Sequence, residues 1–551
     1  MRTLGPILLL LASFSTPLIG QAGGGAERAP ASRAPRITTA EIDGHLRFLS
    51  SDLLEGRAPA TRGGRLAAEY IASQLRVAGL QPGADGSYFQ KVPIDIVAAD
   101  STTIRVSASG KATANLRYPA AVVVWAGSAA EQSGARGELV FVGYGAHAPE
   151  YRWDDFKDVD VKGKVLLVLV NDPPAPASEP RLFGGKAMTY YGRWTYKFEE
   201  AERRGAAGML IVHTTERAGY PWHTVVGSWA KEQRILPRDS VLPPPIGVQG
   251  WITDSAATAL LRQAGLDMAQ LKRQAEGRSF RPVPTGIIID ASFRNSVQHL
   301  ESDNVIGIVR GRDASMRDEW VAFSSHWDHL GIGPKVDGDS IYNGALDNAS
   351  GVADMLAAAR LAAHSSPSRS LIFVFVTAEE SGLLGSKYFA ENPTVPVEKI
   401  IANVNVDGGN LLGRSRDFRV LGSEKSSLGP SFARLISTRA LRISPDEHPE
   451  RGYFYRSDHF SFAKVGIPSV SIASGNDYVG KAPEWGRQQS EDYTAHRYHQ
   501  PSDEYRPDFD LSGAVQLAEL VVSFGLQLAN NPERPRWNPD AEFAGVRAAV
   551  P

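Results

Sequence analysis

Several ionisable residues of this chain sit directly after apolar runs that read as buried strands. WVAFSS is followed by His326, Trp327 and Asp328, LIFVFVTA by Glu379 and Glu380, and IIANVNV by Asp407. Asp347 lies in NGALDNASG, just ahead of a helix expected to start near Gly351, and RYHQPSDEY offers His499 with Asp503 four residues on. One acidic residue past a strand is ordinary, because loops are polar. Here every such position is histidine or carboxylate, and none is Lys or Arg. Clustered carboxylates repel one another unless something cationic sits among them. The natural compensator is a metal. The chain of 551 residues has no cysteine, so any metal must be held by His, Asp and Glu. Two histidines with three carboxylates suit zinc or a similar divalent ion. A carboxylate shared between two ions suits a pair about 3.5–4 Å apart.

These residues need elements to present them. After about residue 290 the apolar segments NVIGIV, WVAFSS, SLIFVFV, IIANVNV and PSVSIAS alternate with helical stretches. One is GVADMLAAARLAAH, where Val352, Leu356, Ala359 and Ala363 share a face. Continuous apolar strands separated by helices predict an α/β fold, with a mixed, mostly parallel sheet covered on both faces. In such sheets the site lies beyond the carboxyl ends of the strands. Upstream, Ala67, Ile71 and Leu75 recur at helical spacing, with Gly79 as a C-cap. From about residue 117 the texture changes to short strands and Gly-rich turns: ELVFVGYGA, GKVLLVLVND, then YKFEEAERRGAAGMLIVHT, read as a helix ending at Gly205 and running into a strand. This segment resembles the β-rich protease-associated (PA) domain. Pro-rich stretches punctuate its loops and its exit, and no internal repeat is present.

The motifs HWDHLG, NGALDNASGVA, TAEESGLLGS, NVDGG, YRSDHFSFAKVGIPSV and YHQPSDE, in this order, resemble the co-catalytic zinc aminopeptidases. That superfamily includes bacterial leucyl aminopeptidase, glutamate carboxypeptidase and the transferrin receptor. The resemblance spans about residues 40–110 and 295–530, with the PA-like segment inserted. It implies the zinc exopeptidase fold and two Zn2+. It implies Asp347 as the carboxylate bridging both ions, His326 and Asp407 as ligands of one, and Glu380 and His499 as ligands of the other. Glu379 is implied as the general base and Tyr498 as a stabiliser of the tetrahedral intermediate, with Tyr455 as its rival. Asp328 and Asp503 fit as partners orienting His326 and His499. Asp458 and His459 are expected to serve as wall or supporting groups. His329, His213, Trp222 and His223 are expected to be structural.

The expected organisation is a signal peptide (1–22), a linker (23–38), an N-terminal part of the peptidase domain (39–125), the PA-like insert (126–290), the catalytic part (291–535) and a tail (536–551). The signal reading rests on Arg2, the short apolar centre ILLLLASF and the small residues GQA, and it predicts export to the periplasm or the outside. Beyond it no stretch is expected to span a membrane. A net charge of −2 gives no reason to expect nucleic acid or an anionic membrane as partner. The expected partner is a peptide substrate, and the oligomeric state is open. The leading function is a zinc aminopeptidase. The competing readings are a glutamate-type carboxypeptidase, for which Arg456 and Arg487 would grip a carboxylate, a glutaminyl cyclase working with one zinc, and an inactive binding protein, which would need lost ligands.

Overall fold

In the computed structural model, residues 36–238 and 244–546 are described. The expected signal peptide and most of the expected linker lie outside them. From Ile37 onward the chain forms one unit built on two sheets.

The first sheet has four parallel strands at its centre, in the spatial order Ser370–Val376, Trp320–His326, Ile400–Asn405 and Ser469–Ser474. The first three are buried along their whole length, as their unbroken apolar runs require of strands covered on both faces. Antiparallel partners extend both sides: the end of Val283–Val309 followed by Phe89–Ala99 on one, and Asp417–Leu421 on the other. From Trp320–His326 the chain first moves to one neighbour and then returns to the other. The strand order therefore reverses at this strand, the place where open α/β sheets form a crevice. His326 is its last residue.

Helix Gly351–Ala363 covers one face, with Val352, Leu356 and Ala359 buried as their spacing predicted. Ala67, Ile71 and Leu75 are likewise buried on helix Arg62–Val77, and Gly79 takes a left-handed conformation behind it. Helix Ser512–Asn530 packs on Gly351–Ala363. It departs from expectation, because it is long and apolar enough to cross a membrane; it is, however, 67% buried inside the fold. A core helix that is apolar all round passes the same test of length and composition.

The second sheet runs Ala114–Asn115, Arg105–Gly110, the first half of Val283–Val309, Gln132–Phe141, Val165–Leu169, Gly208–His213, Val248–Thr253 and Val122–Trp125. The expected helix, Trp194–Arg203, precedes Gly205 and the Gly208–His213 strand. Its limits differ from residues 126–290. Arg105–Gly110 and Val122–Trp125 pair into this sheet, and the 27-residue strand Val283–Val309 passes without a break from one sheet to the other. Within the expected tail, residues 536–546 pack on the fold. The Trp537 indole donates to the Gly466 carbonyl (3.0 Å), and Phe543 is buried against Tyr190 and Phe454.

Candidate metal centre

His326 leaves its strand 1% exposed. Its Nε2 is 3.2 Å from Asp407 Oδ1 and 3.4 Å from Asp347 Oδ1. Asp347 turns its other oxygen to His499, whose Nε2 is 3.2 Å from Asp347 Oδ2 and 3.1 Å from Glu380 Oε2. The five residues named as ligands thus meet around Asp347, in two sets that share it. Donors bound about 2.0–2.2 Å from a tetrahedral zinc lie roughly 3.3 Å from one another. The four separations above have that spacing, and His326, Asp347 and Asp407 form one group that could hold a metal ion. Burial and the neighbouring histidines support the same division. Burial opposes ionisation of Asp347, yet the close rings of His326 and His499 hold its carboxyl well below the usual range. Burial disfavours a charged His326, but the fields of Asp407 and Glu379 hold it well above the ordinary value.

The two adjacent glutamates diverge. After the Ser370–Val376 strand the chain turns at Ala378, a non-glycine residue with φ of 55°. Amides of Gly382 and Leu383 then close on the Glu379 carbonyl at 2.8 and 2.9 Å. Glu380 points into the cluster. Burial and Asp347 oppose its ionisation, but His499 and the bond from His329 hold its carboxyl down at about 2. The Glu379 carboxylate has no hydrogen-bond or ion-pair partner among the described residues, and burial pushes it well above the usual range. Neighbouring carboxyls pushed in opposite directions suit different chemical tasks.

Supporting residues tie the strand ends together. The buried Asp328 carboxylate accepts from the amides of Glu379 (3.0 Å) and Glu380 (3.4 Å); contrary to expectation it stands 3.8 Å from His326 Nδ1, which meets the Asp328 backbone carbonyl at 3.2 Å instead. Asp503 differs from expectation. Its carboxylate accepts from the amides of Leu346 and Asp347, each at 3.0 Å, and from the Tyr493 hydroxyl at 3.1 Å. It therefore fixes the backbone of Asp347, not the His499 ring. Asp458 and His459 are fully buried beside the cluster; burial raises the first to about 7 and lowers the second to about 3.

Of the two tyrosines, Tyr498 stacks on His499 with ring centroids 3.8 Å apart and is 41% exposed at the mouth. The Tyr455 hydroxyl is committed to Glu542 at 2.5 Å. His213 is structural as expected, bonded to the Tyr220 carbonyl at 2.9 Å. Arg487 pairs with Glu491 at 2.6 Å, and Arg456 lies over the Tyr453 ring.

Three residues were not foreseen. Asn348 donates to Ser325 Oγ (3.0 Å) and the His326 carbonyl (3.1 Å) and accepts from the Gly408 amide (2.8 Å), joining three strand-end loops. Arg57, fully buried, donates to the carbonyls of Trp327 and Leu49 (2.8 Å each), Gly344 (3.0 Å) and Asn343. Its adjacency to Asp347 in the fold had no counterpart in sequence spacing; Asn348 at least adjoins a named ligand. His329, expected to be structural, touches Glu380 at 2.7 Å and belongs with Asp347 and Glu380 to a possible metal-holding group.

Residues 304–524 match the model of peptidase family M28. This match agrees with the resemblance to the co-catalytic zinc aminopeptidases read from the motifs. The chain is 33% identical over 190 residues to the mouse aminopeptidase NAALADL1, covering 32% of this chain and 24% of that protein. It is 29% identical over 270 residues to a vacuolar membrane protease of Schizosaccharomyces japonicus, covering 45% and 27%. It thus spans about a quarter of the length of these curated relatives. Among solved structures, an aminopeptidase from Aneurinibacillus sp. strain AM-1 aligns over 91% of this chain and 95% of its own, at 19% identity and a TM-score of 0.48.

Proposed function

We propose that this chain is an exported di-zinc aminopeptidase that removes N-terminal residues from peptides. The observation that carries the reading is the sharing of Asp347 between His326–Asp407 and His499–Glu380, with Glu379 left outside both sets. His326, Asp347 and Asp407 would hold one ion, and Asp347, Glu380 and His499 the other. Zinc held there would supply Lewis acidity toward a carbonyl oxygen and would lower the pKa of a bound water toward neutrality. Glu379, raised and unpaired, takes the proton from the attacking water and delivers it to the leaving amine. The Tyr498 hydroxyl, at the mouth beside His499, donates to the oxygen on which charge develops. Asp328 and Asp503 hold Glu379, Glu380 and Asp347 in place through their backbone amides. Two ligand sets favour this reading over a one-zinc cyclase. The second-sheet unit is read as a PA-like guide for substrate. Export rests on the N-terminal sequence pattern.

The test is a panel of aminoacyl amides and short peptides with free or acetylated N-termini, incubated with the purified protein. Release of the N-terminal residue from free peptides only, abolished by chelation and restored by zinc, is expected. Release of C-terminal residues from acetylated peptides would replace the reading with a carboxypeptidase. Cyclisation of N-terminal glutamine without hydrolysis would replace it with a cyclase.

A further inference from the structure

His329 stands three residues beyond His326 and is 1% exposed. Its Nδ1 is 2.7 Å from Glu380 Oε1, while Glu380 Oε2 is 3.1 Å from His499 Nε2. One carboxylate therefore divides its two oxygens between two histidines. An ionised carboxylate only accepts, so Nδ1 is the donor and Nε2 is the nitrogen left over. That Nε2 is buried without a partner. The ring cannot turn away: a Cβ on Gly344 would lie 2.5 Å from the His329 Cγ, so the Gly344 backbone sits against the imidazole. The residue's own amide reaches the Arg57 carbonyl at 3.4 Å, and the Arg57 guanidinium clasps the loops on either side.

We propose that His329 is a positioning residue for Glu380: its Nδ1–H pins Oε1, so that Oε2 alone turns toward the ion shared with His499. Nothing else among the described residues hydrogen-bonds Oε1. Without this donor the carboxylate is free to swing about its last torsion, which is soft and broad. The ion on that side would then lose a fixed ligand, while His326 and Asp407 would keep theirs. The inference rests on the reading of Glu380 as a ligand.

The two ring nitrogens make the proposal testable. Asparagine places an amide N–H where Nδ1 stands, glutamine places its amide near Nε2, and leucine removes both. Zinc binding to the full chain would be titrated against a competing chelator for the parent, His329→Asn, His329→Gln and His329→Leu, with thermal unfolding of each. The expected result is two ions in the parent, with one weakened ~10–100-fold in the Leu and Gln variants, as loss of a group orienting a ligand typically costs. The Asn variant should bind within a few-fold of the parent. Equal weakening of both ions would overturn the proposal, as would parental affinity in the Leu variant. Rescue by Gln and not by Asn would also overturn it, because His329 would then act as a ligand through Nε2. A parent that binds no zinc would instead defeat the metallopeptidase reading itself. If the Leu variant fails to fold, the comparison of Asn with Gln still decides.

Discussion

Replacing Asp328 probes how the carboxylates at the strand ends are held. The side chain is fully buried, and its two oxygens accept from the amides of Glu379 and Glu380 at 3.0 and 3.4 Å. A hydrogen bond to a charged acceptor contributes about 1.5–3 kcal/mol. Burial raises this carboxyl to about 6, so desolvation offsets part of that gain. Asp328→Asn keeps one acceptor and turns an NH2 group toward the other amide. The expected loss of stability is therefore near the cost of one bond, about 1.5–3 kcal/mol. Asp328→Ala leaves both buried amides unpaired, at about 1–3 kcal/mol each. The functional effect should exceed the effect on folding. With the Glu379–Glu380 turn loosened, zinc affinity should fall ~10–100-fold, more in the Ala variant than in the Asn variant. Chelator competition reports the affinity, and denaturant unfolding reports the stability. Parental zinc affinity in Asp328→Ala would refute the reasoning, whatever its stability.

Tyr498→Phe should lower kcat by ~10²–10³-fold with little change in KM, the usual scale for one lost oxyanion donor. Tyr455→Phe should instead cost about 1.5–3 kcal/mol of stability, by removing one donor from the Glu542 carboxylate, which keeps the Tyr190 amide and Lys425, and leave kcat unchanged; steady-state kinetics and melting of both variants check this. Lys197 is fully buried, donates to the carbonyls of Asn171 (3.2 Å) and Tyr144, and sits in the field of Asp172 and Asp155. Lys197→Met should destabilise the fold by about 3–5 kcal/mol, as removal of one buried charge leaves its opposites uncompensated; adding Asp172→Asn should recover part of the loss in urea unfolding. Asp354 is buried with neither oxygen partnered, and burial holds its carboxyl well above 3.8. Its folded pKa exceeds its unfolded one, so its contribution is fully present below pH 3.8 and is lost as pH rises from there toward the folded pKa. Asp354→Asn should therefore gain stability over the parent as pH rises from 4 to 8, by at most about 1.4 kcal/mol per unit; a gain that shrinks with pH would contradict the assignment.

The catalytic strands were legible because strands buried on both faces must be apolar without interruption, and each announced itself before His326, Glu379 or Asp407. The candidate ligands stood out because clustered carboxylates at the end of such strands need a cation. What stayed hidden depends on partners far away in the chain. Val122–Trp125 joins the second sheet by pairing with residues near 250, and Arg105–Gly110 does so through residues near 290. Arg57 acts on the carbonyls of residues 327, 343 and 344, which no local pattern records. His329 looked like one more loop residue, because the Glu380 oxygen it meets arrives from another strand. Asp503 was assigned to the nearby His499, whereas the fold delivers it to the backbone of Asp347. Ser512–Asn530 carries too few polar residues for composition to tell a core helix from a membrane span.

The central claim is that adjacent glutamates do separate jobs, and it is tested by metal content and zinc-dependent turnover of Glu379→Gln and Glu380→Gln side by side. Glu379→Gln should keep two zinc ions per chain while turnover falls ~10²–10⁴-fold, the scale of a lost general base, with no recovery on adding zinc. Glu380→Gln should hold one ion weakly and regain part of its rate as zinc is added. The reverse pattern, with metal lost from the Glu379 variant and retained by the Glu380 variant, would contradict the account, and so would two variants that both behave as the parent does.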